Sequence, residues 1–306
     1  MQSEECLKVY SNVVVQRDED GIFLTLYTSG STGVPKGVML TDANLLNRLR
    51  WQWAELPFAK DGSDVCLAKT NNLFVDSYTE ILGAVLRLQK LVIVDPNAWK
   101  NSTKDVAELM VESVEENQVT RLILVPSLLR TLLEMPNANH RLRSLRFVVS
   151  SGEALPAELA KQFFRILGNN PIRLANFYGS TEVTGDITAA IFASEADVAA
   201  RTVGGFLSIG RPVHNTTIFI LREDTLKPVS FGKVGCIFVG GANVCRGFVG
   251  ETKLVNRFAT KPQELNNVGD GDRLMNMGDL GRIVPGGELC NLKSIKHFLN
   301  NFYFLF

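Results

Sequence analysis

Between residues 64 and 167 the chain swings repeatedly between short apolar runs and longer amphipathic stretches. DVCLAK, KLVIV, RLILV and LRFVVS read as strands, and YTEILGAVLRL, TKDVAELMVESVEEN, PSLLRTLLEM and PAELAKQFFRIL follow them in turn with helical period. A short strand that is apolar on both faces must be covered on both, and a parallel neighbour is reached only through a crossover such as a helix. The alternation therefore predicts an α/β fold, a mostly parallel sheet flanked by helices. From about Gly204 the texture changes to glycine-punctuated strands such as TTIFIL and GCIFVGG, which predicts a β-rich lobe. The expected organisation is a mixed leader over 1–20, an α/β core over 21–203, the lobe over 204–289 and an aromatic tail over 290–306.

Composition narrows the function classes. An apolar fraction of 45% over 306 residues is enough for a well-packed core. Lys plus Arg equals Asp plus Glu at 32 each, so no field of one sign recruits nucleic acid or an anionic membrane. Five scattered cysteines, with no C-x-x-C and no histidine at ligand spacing, predict neither a zinc site nor a disulfide framework. No apolar run approaches the roughly 20 residues that span a bilayer, and a cytoplasmic protein is expected.

The stretch TLYTSGSTGVPKGVML, residues 25–40, carries the strongest chemical signal. IFLTLYTS reads as a buried strand running into a glycine loop, with the helix DANLLNRLRWQW after it, the strand, loop and helix order of a phosphate site. The P-loop pattern fails, because Pro35 stands where its second glycine belongs and Gly37 where its metal-binding hydroxyl belongs. A different phosphate cradle is expected.

Three further stretches each admit a plain reading beside a chemical one. NFYGSTEVTG, Asn176–Gly185, offers a ring to stack on a base, hydroxyls for phosphate and a carboxylate for Mg²⁺. In MGDLGR, Met277–Arg282, the acid suits ribose hydroxyls, or the segment is a hairpin turn. In FVDSYTE, Phe74–Glu80, Asp76 is a ligand for a cation or simply a helix N-cap. His140, His214 and His297 lack partners at useful spacing and are assigned no role.

Taken together and in this order, the pieces resemble the adenylate-forming enzymes: acyl-CoA synthetases, luciferases and nonribosomal-peptide-synthetase adenylation domains. YTSGSTGVPKGV is similar to the family's phosphate loop nearly letter for letter, and SSGEAL, NFYGSTE, MGDLGR and GKVGCIFVGGANVCRGFVG resemble its later motifs. NRLRWQWAELPF, FVDS and LVPSLLRTLL are most similar to ebony-type β-alanyl-amine synthetases and other β-alanine-activating enzymes. The resemblance implies the large N-terminal domain of such an enzyme. It also implies ATP- and Mg²⁺-dependent activation of a carboxylate to an acyl-adenylate with release of pyrophosphate, then transfer to a thiol, on a phosphopantetheine carrier or CoA, or onward to an amine.

Residue by residue, the resemblance assigns Thr28, Ser29, Gly30, Ser31, Thr32, Gly33 and Lys36 to the ATP phosphates and Thr181 to the α-phosphate, with Gly179 and Ser180 in the same turn. Glu182 is implied as the Mg²⁺ ligand, Asn176 and Tyr178 as the adenine frame, Gly152 and Glu153 as a backbone wall, and Asp279 as the ribose acceptor. Lys36, Thr181 and Glu182 form its catalytic set. In amino-acid-activating relatives an acid directly after Phe pairs with the substrate's α-ammonium. Here Val75 holds that place and Asp76 follows, and a β-ammonium lies one bond, about 1.5 Å, further from the carboxylate. The resemblance further implies that much of the first subdomain, the mobile C-terminal lid with its lysine and the carrier domain lie outside this chain. Two competing functions remain: a catalytically weak nucleotide-binding fragment or isoform, and an acyl-CoA synthetase for a fatty or aromatic acid.

Overall fold

A computed structural model describes residues 21–28, 35–94, 105–250, 257–265, 267–269 and 271–294. The strands in chain order are β1 Ile22–Thr28, β2 Lys36–Thr41, β3 Val65–Ala68, β4 Lys90–Ile93, β5 Arg121–Leu124, β6 Phe147–Ser150, β7 Arg173–Ser180, β8 Gly185–Phe192, β9 Thr202–Val203, β10 Phe206–Pro212, β11 Thr216–Leu221, β12 Gly235–Gly241, β13 Gly247–Phe248, β14 Phe258–Thr260, β15 Arg273–Val284 and β16 Glu288–Ser294. The principal helices are α1 Asp42–Glu55, α2 Val75–Val85, α3 Val106–Asn117, α4 Pro126–Glu134 and α5 Ala157–Leu167.

The fold is the expected α/β one. Among the described residues, in a 13-stranded sheet, β4, β3, β5, β6 and β7 run parallel, joined in chain order by helical crossovers. From β7 onward the pairing turns antiparallel through β8, β10, β16, β15, β12 and β11. The parallel half is covered on one side by α3, α4 and α5. The α5 face Leu159, Ala160, Phe163, Phe164 and Leu167 is buried, its positions recurring at helical spacing. Phe163 has no exposed surface, and truncating such a side chain costs about 3–5 kcal/mol. Among the described residues no helix is long and apolar enough to cross a membrane.

Three local expectations are corrected. The glycine loop leads not into a helix but into a second strand: β1 and β2 pair antiparallel and, with β13, make a separate three-stranded sheet. Every residue of 36–41 but Met39 is buried, Val38 and Leu40 facing a core with Leu26, Val75 and Cys245. The helix starts only at Thr41, whose hydroxyl accepts from the Asn44 amide at 3.2 Å while the Asn44 side chain accepts from the Thr41 amide at 2.9 Å. Nor is β1 a buried strand, because Ile22, Phe23 and Tyr27 are exposed on the sheet's edge. The run MGDLGR is likewise no hairpin turn and lies inside β15.

Candidate active site

The C-terminal ends of parallel strands converge where ligands bind in open α/β sheets. Here β6 leads into Ser151, Gly152 and Glu153, β7 into Thr181 and Glu182, and β3 into Lys69. At the turn after β7, a Cβ on Gly179 would stand 1.7 Å from the Gly185 carbonyl oxygen, so only glycine lets the two strands come this close. The result is a tight 3₁₀ turn, Thr181–Val183, that presents Thr181 and Glu182 and packs against β2.

Several residues named from sequence meet across long separations. Tyr178 donates its hydroxyl to Asp279 at 2.6 Å. Burial and the Asp279 carboxylate hold the phenol well above its usual range, so the ring stays neutral and donating. Asn176 is buried and donates its amide to the Ser208 carbonyl at 3.0 Å, which anchors β7 to β10. Gly152 adopts φ +85°, and the exposed Glu153 carboxylate accepts from the Ser127 amide and hydroxyl, capping the first turn of α4. Thr28 and Lys36 face each other in register across the β1–β2 ladder, with Lys36 buried. Ser29, Gly30, Ser31, Thr32 and Gly33, between them, lie outside the described residues.

The second half of the site is built from residues to which the sequence motifs assign no role. Arg48 of α1 is completely buried and pairs with Asp186 of β8 at 2.7 Å, its guanidinium lying 4.9 Å from the Trp51 ring centre and 5.1 Å from that of Phe177. Ser151 donates to the other Asp186 oxygen at 2.8 Å. Below it Glu80 of α2 accepts from the Thr70 hydroxyl at 2.6 Å and from the Thr70 and Lys69 amides at 3.0 and 3.2 Å. A signal existed: Leu45, Arg48, Leu49 and Gln52 share one face of the α1 pattern, and an arginine on the apolar stripe of a helix demands a buried acid.

Asp76 lies between these groups, within the first turn of α2. The helix N-cap is Phe74, which makes no side-chain cap bond, so the capping role does not apply to Asp76. Its carboxyl is pushed up to about 7, by burial first and then by Asp186 and Glu80, with Arg48 and Lys69 opposing. The residue keeps some accessible surface while protein crowds its carboxylate. Val75 instead points into the core formed with Leu26, Val38, Leu40 and Cys245.

Glu182 is buried and pairs with Arg257 at 2.6 Å. Among the described residues no group of three or more His, Cys, Asp or Glu could hold a metal by itself. One carboxylate suits Mg²⁺, which takes most of its ligands from water and substrate phosphates.

The sequence matches the model of the family described as AMP-binding enzyme over residues 2–249. The chain belongs to the AMP-binding enzyme family. Within it, the chain is 38% identical over 282 residues to the beta-alanyl-bioamine nonribosomal peptide synthetase ebony of Drosophila melanogaster, covering 90% of this chain and 31% of that protein. It is 35% identical over 265 residues to the indigoidine synthase of Dickeya dadantii, covering 86% of this chain and 17% of that one. The chain thus spans about a third or less of these curated relatives. The AMP-binding fold recurs in the Klebsiella oxytoca NpsA N-terminal subdomain bound to 3-hydroxybenzoyl-AMSN, with TM-score 0.73 and 23% identity over 94% of this chain and 69% of that one. It recurs also in O-succinylbenzoate coenzyme A synthetase from Bacillus subtilis with ATP and magnesium ion, with TM-score 0.69 and 22% identity over 90% of this chain and 51% of that one. The architecture is that of the N-terminal domain of adenylate-forming enzymes.

Proposed function

We propose that this chain activates a carboxylate with ATP, and that its substrate is a β-amino acid such as β-alanine, passed on to a thiol or an amine. A substrate carboxylate oxygen attacks the α-phosphorus of ATP, the bond to the bridging oxygen of the β-phosphate breaks, and an acyl-adenylate and pyrophosphate result. Tyr178 and Asn176 frame the adenine, Asp279 accepts from the ribose, and Gly152 and Glu153 wall the base. Thr28, the loop from Ser29 to Gly33, Lys36 and the turn from Gly179 to Thr181 handle the phosphates with oriented donors and one cation. Mg²⁺, held by Glu182, would offset charge building on the departing pyrophosphate.

The observation that carries the substrate reading is the Asp76 carboxylate. Among the described residues Asp76, Asp186 and Glu80 face two cations, Arg48 and Lys69, and Asp76 alone of the three acids has no hydrogen-bond donor. A substrate ammonium supplies the missing positive charge. A fatty or aromatic acid would bring no such charge and leave that carboxyl to take up a proton instead. The identity to ebony, whose name describes a beta-alanyl-bioamine synthetase, supports the same choice.

Calorimetry with non-hydrolysable acyl-adenylate analogues tests this without requiring turnover. The β-alanyl analogue is expected to bind about tenfold or more tightly than the propionyl one, the worth of a charge-assisted contact of roughly 1.5–3 kcal/mol. Equal or reversed affinities would remove the β-amino-acid reading and favour an uncharged acid.

A further inference from the structure

Arg257 stands between the two ends of the nucleotide site. One guanidinium nitrogen donates to Glu182 at 2.6 Å and another to the Met277 carbonyl at 3.1 Å, two residues before Asp279. The same group lies 3.7 Å from where a Gly278 side chain would begin, and its charge reaches Tyr178, the partner of Asp279. It therefore spans the acid assigned to the metal and the segment assigned to the ribose. In a nucleotide, what lies between ribose and metal-bound phosphates is the α-phosphate. The Glu182 side chain is 9% exposed and that of Arg257 30%, so the guanidinium is the more accessible member of the pair.

We infer that Arg257 is a phosphate-binding residue of this site, resting on Glu182 until a magnesium-bearing nucleotide arrives and then pairing with the α-phosphate. The inference rests on the nucleotide reading above. Each group keeps an opposite charge through the exchange: the acid trades a guanidinium for a divalent cation, and the guanidinium trades a carboxylate for a phosphate it can grip with two N–H groups. Glu182 is never left as an unpaired buried charge, a state that would cost several kcal/mol.

The test is calorimetric binding of ATP in EDTA, of Mg·ATP and of adenosine to the wild type, Arg257→Gln, Arg257→Lys, Glu182→Gln and the double variant, with folding checked by melting. Arg257→Gln should weaken Mg·ATP about tenfold, change metal-free ATP little and leave adenosine unchanged. Glu182→Gln frees the guanidinium and should tighten metal-free ATP, a gain that disappears in the double variant. Arg257→Lys should recover part of the loss, having the charge without the fork. If Arg257→Gln instead tightens Mg·ATP and has no effect in the Glu182→Gln background, the arginine merely neutralises Glu182 and the inference is overturned. Absence of ATP binding by the wild type would overturn the nucleotide site itself, and this inference with it.

Discussion

The two halves of the candidate site solve the burial of charge in opposite ways. In the nucleotide half, Glu182 is matched by Arg257 and Asp279 by the Tyr178 hydroxyl. In the acid-binding half, Asp76, Asp186 and Glu80 outnumber Arg48 and Lys69, and the imbalance falls on Asp76. A balanced site can rest empty at low cost, whereas an unbalanced one favours whatever brings the missing charge, be it a proton or an ammonium. Under the proposed function, affinity for ATP and discrimination among acids would therefore arise from different electrostatics.

The largest effect should come from the ion pair that holds the second half together. Arg48→Ala leaves Asp186 buried without its cation, and a loss of about 3–5 kcal/mol in denaturant unfolding is expected. Glu182→Gln, on the half-open pair, should cost about 1 kcal/mol or less. Comparable losses at both would erase the contrast.

Asp76→Ala should lower kcat/KM for β-alanine in pyrophosphate exchange by about 10²-fold and leave an uncharged acid unaffected or improved. Moving the acid to position 75 is not a clean inverse test, because Val75 packs among Leu26, Val38 and Leu40, where a carboxylate would disrupt the core.

Acidity separates the halves too. The Asp76 carboxyl is raised from 3.8 to about 7, so the folded state holds a proton that the unfolded chain releases between about pH 4 and 7. The favourable contribution is present in acid and lost as pH rises through about 7. The melting temperature of Asp76→Asn should therefore gain on the wild type as pH increases over this window. A proton and an ammonium compete for the same carboxylate, so β-alanine should bind roughly tenfold more weakly at about pH 6 than at about pH 8, while ATP binding changes little. A flat β-alanine profile would place its ammonium elsewhere.

Smaller effects sharpen the nucleotide half. Lys36→Ala should weaken ATP about tenfold by loss of one charge-assisted contact. Tyr178→Phe removes a single hydrogen bond and should cost about 1 kcal/mol, read as a several-fold weaker ATP.

What the linear order of residues determined was everything with a local cause. The crossovers from β3 to α5 were legible because period and length are properties of consecutive residues, and the chemical types at Tyr178, Glu182 and Asp279 were legible as motifs. The strand Lys36–Thr41 is not legible because six residues beside a glycine loop, all but Met39 buried, carry no alternation to distinguish a strand from a continuing turn. Only the tertiary structure decided which charges meet. Asp186 and Arg48 are 138 residues apart, and Asp279 and Tyr178 are 101 apart. Whether a carboxylate is balanced or left wanting a cation depends on distance and burial in space, and no spacing along the chain encodes either.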